Sequence, residues 1–313
     1  MAWEYRGILP ALQLPFDQNL EIDEAEMRRF AEWLVSHKGI GGLVINGHTG
    51  EVFALTAKQR AQATRLAAEA AKGKVPVVSG ICCEGISEAV EHAVMAREAG
   101  ASGLLLMPPH GWLRFGMSQP DNVVDYFTAV GKGSGLDIIV HIYPSWTRAS
   151  YSFETLAALA KLPWVKCMKV GTRDMNKYAR DLRVIKEADP SVTVLTCHDE
   201  YLLPSMVQGV DGALVGFASF IPQMIIDLYA AVQAGDLKTA MDLQGRINPL
   251  KDAVYGGGEP TGDAHARMKM AMYLAGILKS PAVQPPTKLP AGAQLQAIKD
   301  AVRNAGMMQR EAA

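Results

Sequence analysis

The sequence predicts an α/β chain folded as a (β/α)8 TIM barrel with a C-terminal helical extension. Three observations predict it. Eight short apolar runs alternate with amphipathic helical stretches over residues 1–235. Most of those runs are continuously apolar, the pattern of strands buried on both faces and hence of a parallel sheet. Beyond residue 235 only helical periodicity remains. Eight strand–helix units in about 235 residues are what one barrel requires.

The first strand is expected over Ile8–Phe16, followed by an amphipathic helix over 23–39. The second strand, Gly41–Glu51, precedes a helix over 57–73. The third, Val75–Ile81, precedes one over 86–100, and the fourth, Gly103–Pro109, opens the next unit. The fifth is Asp137–Pro144 and the sixth Val165–Gly171, followed by a helix over 175–190. Val192–Asp199 and Gly212–Ser219 complete the set. Several of these helices end in glycine, a C-cap signal. The expected division is a catalytic barrel over 1–235 and helices over 236–313 that pack on it or on a neighbouring subunit. Within that extension Pro281–Pro290 reads as a stiff connector. Gly256–Gly262 is glycine-rich but lacks the Lys-Ser/Thr of a phosphate loop.

Composition removes several function classes. The 313 residues are 49% hydrophobic and 20% charged, with formal net charge −1. Nothing basic enough to bind nucleic acid or an anionic membrane stands out. No apolar run approaches the roughly 18 residues of a membrane span. The N-terminus lacks the apolar core of a signal peptide. Cys82, Cys83, Cys167 and Cys197 lie in or beside strand-like runs without CxxC spacing, so reduced cysteines in a cytoplasmic protein are expected.

Lys169 is the most informative residue. It lies in Val165–Thr172 with Cys167 and Val165 at alternate positions before it, so all three are expected to face the barrel interior. Burial disfavours the ammonium form, and a neutral amine is a nucleophile toward carbonyl carbon. The competing reading is a buried lysine paired with a carboxylate. In such barrels the chemistry sits at the carboxyl ends of the strands. Four of the seven histidines fall there, His48, His110, His141 and His198, together with Thr49, Glu51, Tyr143, Asp199 and Glu200. His37, His92 and His265 fall in helical patterns and read as surface or packing residues. After strand two comes Gly47-His48-Thr49-Gly50-Glu51. Gly47 and Gly50 allow close backbone approach to a ligand, and the backbone N–H groups with the Thr49 hydroxyl can hold a carboxylate.

These motifs together, with the strand-five end His141-Ile142-Tyr143-Pro144-Ser145 and the Lys169-Val170-Gly171-Thr172 context, resemble the dihydrodipicolinate synthase / N-acetylneuraminate lyase family of class I aldolases over nearly the whole length. The resemblance implies a barrel with C-terminal helices, a homotetramer or homodimer, no cofactor and no metal. It implies that Lys169 forms a Schiff base with pyruvate or another 2-keto acid and that Thr49 with adjacent N–H groups binds its carboxylate. Departures from the family pattern are specific. His141 stands where the family carries tyrosine, His48 where it carries Ser or Thr, and His110-Gly111 where it carries Tyr-Tyr. Trp146 stands where the synthase carries the arginine for its second substrate, with Arg148 out of register. Aspartate semialdehyde is therefore not the expected partner. His198-Asp199-Glu200 is similar to the lyase branch segment whose acidic pair binds acceptor hydroxyls.

The expected function is aldol cleavage, condensation or dehydration of a hydroxylated 2-keto acid of the 2-keto-3-deoxy sugar acid type. His141, then His48, is the expected proton-transfer group, with Tyr143 able to supply the missing hydroxyl. Alternatives are the synthase itself, a hydratase-aldolase whose aromatic aldehyde stacks on Trp146 or Trp112, a metal-dependent barrel enzyme using His48, His141, His198 and Asp199, and a binding protein without turnover.

Overall fold

A computed structural model describes residues 3–115, 119–144, 147, 149–200, 202–256 and 263–310. Eight parallel strands are present: β1 (Gly7–Pro10), β2 (Leu43–Ile45), β3 (Val77–Ile81), β4 (Gly103–Leu106), β5 (Asp137–Ile142), β6 (Val165–Val170), β7 (Thr193–Thr196) and β8 (Gly212–Val215). They pair in the order β1-β8-β7-β6-β5-β4-β3-β2. Parallel bridges between Ile8 and Ile40 and between Ala11 and Val44 bring the two ends of the sheet together. The result is the (β/α)8 barrel expected from the sequence.

The continuous apolar character of the strands follows from two shells of core. Leu9, Val44, Val78, Leu105, Ile139, Cys167, Leu195 and Leu214 fill the lumen. Ile8, Leu43, Ile45, Val77, Leu104, Ile138, Val140, Met168, Val194 and Ala213 face the helices instead. Side chains alternate across each strand, so both sets must be apolar.

Several strands are shorter than expected. β1 ends at Pro10 and β2 at Ile45, and the remaining expected residues form the loops that build the rim. Val165 also departs from expectation, because it packs in the outer shell. The β5–β6 register jumps between Ile138, opposite Val165, and Ile139, opposite Cys167. The extra residue, Lys166, points to solvent. This bulge breaks the alternation only below Cys167, so Lys169 keeps its inward position.

Helix starts follow capping chemistry. Asp23 accepts from the Glu26 amide at 2.9 Å, and Thr56 with Gln59 forms a reciprocal capping box before the helix Ala57–Ala71. A short helix, His110–Phe115, was not anticipated. The Glu84 carboxylate accepts from the amides of His110 (3.1 Å) and Gly111 (2.6 Å) at its start.

The C-terminal helices Leu237–Tyr255, Ala264–Leu274 and Gly292–Asn304 share one apolar core with the barrel's outer shell. Most of Ala264–Leu274 is buried, including Arg267 and Lys269. Among the described residues, no helix is long and apolar enough to cross a membrane.

Candidate active site

A cavity of about 530 Å³ opens at the carboxyl ends of the strands. Lys169 reaches it from β6, next to His141 of β5 in the sheet register. Among the described residues no group accepts a hydrogen bond from Lys169 or forms an ion pair with it. Its pKa is lowered chiefly by burial, with the Arg173 charge adding to the effect and Cys197 and Asp199 opposing it. An amine without a counter-ion, in an apolar wall facing a cavity, is a nucleophile in waiting.

The histidines that face Lys169 are neutral by the same physics. Burial, then the Lys169 charge, pushes His48 down to about 3, and the same two causes hold His141 well below the usual range. Tyr143 is pushed well above its ordinary value by burial. Its phenol therefore keeps its proton, and the hydroxyl is hydrogen-bonded to His48 Nε2 across 2.5 Å. The His141 and Tyr143 rings stack with centroids 4.3 Å apart, and the His48 ring lies 5.6 Å from that of His141. His110 meets Tyr143 edge-on at 6.1 Å and Phe53 at 5.1 Å.

The loop after β2 presents donors to this cavity. The amides of Gly50, Glu51 and Val52 turn back onto the carbonyls of Gly47 and His48. Among the described residues those of His48 and Thr49, and the Thr49 hydroxyl, have no acceptor. Gly47 has open space on its side-chain side. Gly50 serves packing rather than a ligand, because a Cβ there would lie 3.0 Å from the Leu12 carbonyl oxygen.

An unpaired β6 lysine, free donors after β2 and a proton-bearing pair on β5 and the β2 loop thus share one cavity. Residues 4–305 match the dihydrodipicolinate synthetase family. The chain belongs to that family. It is 31% identical over 256 residues to a 4-hydroxy-tetrahydrodipicolinate synthase of Acidiphilium cryptum, covering 82% of this chain and 85% of the relative. It is 30% identical to the probable 2-dehydro-3-deoxy-D-pentonate aldolase YjhH of Escherichia coli (80% and 82% covered). It is 26% identical to an N-acetylneuraminate lyase of Escherichia coli (82% and 84%). It superimposes with a TM-score of 0.87 on YagE of Escherichia coli K12, solved in complex with pyruvate, at 22% identity over 97% of this chain and 99% of that one. That likeness concerns the fold. The protein is an enzyme, a lyase of this class I aldolase family.

Several expected positions sit differently within this family site. His198 is turned away from the cavity and lies against Tyr178 of the helical layer, ring centroids 5.1 Å apart. Asp199 lines the cavity, yet both its oxygens are engaged: by the amides of Gly216 (3.0 Å) and Phe217 (2.7 Å) and by the Tyr255 hydroxyl (2.9 Å). Burial first, and the Glu200 charge second among the raising causes, lift its pKa to about 6. Glu200 is bound at 2.6–2.7 Å by the guanidinium of Arg173, which also donates to the Gly171 carbonyl. The acidic pair is thus engaged inside the chain, with Glu200 and Arg173 together forming a polar wall of the cavity.

The metal-binding alternative loses its geometry here. His198 is turned outward, and among the described residues the cluster with ligand spacing is Cys83, Glu88 and His92, none of which lines the cavity. Trp112 packs on the Tyr126 ring at 5.4 Å rather than on a ligand. Trp146 and Arg148 lie outside the described residues, as does most of Gly256–Gly262.

Sequence reading missed six contributors. Arg173, four residues beyond Lys169, was within reach of the strand-end rule. Phe53 is 59% exposed at the cavity mouth. His265 was assigned to packing, yet it lines the cavity from the helix Ala264–Leu274. Pro285, Pro286 and Thr287, read as a connector, form part of the wall.

Proposed function

We propose that Lys169 condenses with the C2 carbonyl of a 2-keto acid whose carboxylate sits on Thr49 and the amides of His48 and Thr49. The supporting observation is the partnerless amine facing a cavity whose opposite rim offers unclaimed donors. Attack and loss of water give a protonated imine, which draws electrons from the C3–C4 bond. In cleavage, the C4 hydroxyl proton goes to a base, the C3–C4 pair becomes an enamine, and an aldehyde leaves. Protonation at C3 and hydrolysis then release the shorter keto acid. In dehydration, the C3 proton is removed and the C4 hydroxyl leaves protonated.

His141, beside Lys169 in the register, and the Tyr143–His48 pair carry these protons. Neutral imidazoles and a protonated phenol supply one acceptor and one donor near neutral pH. The substrate class we favour is a hydroxylated 2-keto acid of the 2-keto-3-deoxy sugar acid type. A cavity of about 530 Å³ greatly exceeds what pyruvate fills, and the Arg173–Glu200 pair offers a donor and an acceptor to hydroxyls. The relationship to YjhH agrees with this class. The ring wall of Phe53, His48 and His110 favours a second reading, an acceptor with an aromatic tail. Assembly as a homotetramer or homodimer belongs to the same proposal and is checked by analytical ultracentrifugation.

Incubation with pyruvate, borohydride reduction and peptide mapping tests the reaction. We expect the adduct on the Lys169 peptide, and an unmodified Lys169 peptide rejects the proposal. A panel of 2-keto-3-deoxy sugar acids and aryl-substituted keto acids separates the two substrate readings.

A further inference from the structure

The Glu51 carboxylate, at the end of the loop that carries His48 and Thr49, is buried and held entirely from the C-terminal extension. Its Oε1 accepts from Lys269 Nζ at 2.5 Å. Its Oε2 accepts from the Gln284 backbone amide at 2.7 Å and lies 4.0 Å from His265 Nε2. Lys269 is fully buried, donates also to the Ala282 carbonyl at 2.7 Å, and sits 4.2 Å over the Phe16 ring. The Gln284 side chain donates to the Leu20 carbonyl at 2.7 Å. Glu51 has φ +60°, a left-handed conformation that a side chain of this size adopts only when its surroundings hold it. Its amide is bonded to the His48 carbonyl at 3.0 Å.

We infer that Lys269 and Glu51 are positioning residues for the keto-acid carboxylate: their buried pair, with the Gln284 amide, sets the loop whose His48 and Thr49 donors face the cavity. This rests on the reading of that loop as the carboxylate site. The same tether fixes residues 282–284, directly before Pro285, Pro286 and Thr287 in the cavity wall. One ion pair therefore places both a binding loop and the adjoining part of the wall. Lys269 does not line the cavity, and Glu51, which does, has both carboxylate oxygens engaged by Lys269 and the Gln284 amide. Burial pushes the Lys269 amine down to about 8 against the pull of Glu51, in keeping with a closed contact from which water is excluded.

The test is borohydride trapping of the pyruvate adduct as a function of pyruvate concentration, with melting temperature measured in parallel. Lys269→Met should raise half-saturating pyruvate about tenfold or more, while the trapping rate at saturation stays within about threefold, the pattern of lost ground-state binding. Lys269→Met/Glu51→Gln removes both buried charges and should regain thermal stability, yet keep the raised half-saturation because the tether is gone. Gln284→Pro, which removes the backbone N–H that Glu51 Oε2 accepts from and keeps the ion pair, should give a smaller rise of about threefold. A purely structural pair would move melting without moving half-saturation. Wild-type half-saturation in the folded double variant overturns the inference, and if that variant does not fold, wild-type half-saturation in Gln284→Pro overturns it. Absence of any adduct in the wild type strikes the Schiff-base reading instead, a result distinct from both.

Discussion

Two lysines of this molecule have opposite surroundings: Lys169, half-buried near the end of β6, and Lys269, fully buried in the helix Ala264–Leu274. Lys269 is gripped by Glu51, the Ala282 carbonyl and the Phe16 ring. Lys169 meets none of these and opens onto a cavity. Burial lowers the pKa of both. Low dielectric makes a neutral amine accessible, and the absence of a counter-ion leaves that amine free to react. The presence of one turns the same side chain into a strut.

The sharpest way to break this comparison is to remove each lysine in turn. Lys169→Ala should abolish adduct formation and lower turnover on the order of 10⁵-fold or more. It should melt at or above the wild-type temperature, since a buried amine without a partner is itself a burden on the fold. Trapping and calorimetry on one preparation check both halves. Lys269→Met should do the reverse for stability, lowering it by about 3–5 kcal/mol because Glu51 is left uncompensated. Denaturant titration measures this, and a loss under about 1 kcal/mol would show that the pair is not closed to water.

Tyr143→Phe sharpens the reactive half. It removes the hydroxyl bonded to His48 and leaves the amine in place. The adduct should still form, while turnover of a hydroxylated keto acid falls about 10²-fold. Rapid-quench kinetics separate the two steps, and unchanged turnover removes Tyr143 from the proton path.

The smallest effect concerns a third buried charge. The folded-state pKa of Asp199 is raised to about 6, above the roughly 3.9 of an unfolded chain. The folded state therefore binds the proton more tightly. This contribution to stability is present in full below about pH 4 and is lost as pH rises through about 6. Wild type should lose on the order of 2–3 kcal/mol relative to Asp199→Asn between about pH 4 and 7. Denaturation at a series of pH values checks it, and parallel curves for the two proteins would contradict it.

The sequence marks Lys169 and not Lys269, for a physical reason. Between Cys167 and Val170 on a strand apolar on both faces, Lys169 has nowhere to put a charge. In the helical run Arg267–Tyr273, Lys269 has the periodicity of a residue that can face water. Only tertiary packing buries it. The same limit explains His265 and Pro285–Thr287, whose approach to the cavity depends on how the extension folds back. It explains Glu200 as well, whose partner Arg173 follows a different strand. The bulge at Lys166 left no residue signature, so the expected orientation of Val165 failed while that of Lys169 held. The eight strands were legible because each apolar run is bounded by loop and helix signals. Gly50 was legible as a constrained position, but its constraint is the Leu12 carbonyl.

The tether between Glu51 and the extension has a consequence for biosynthesis. Translation delivers the N-terminus first, so all eight strands leave the ribosome before Lys269, Ala282 and Gln284 are made. A nascent chain can close its barrel and expose the Lys169 amine while Glu51 still faces water. A segment made after all eight strands finishes the pocket, so a product terminated before it would hold the nucleophile without the geometry to use it.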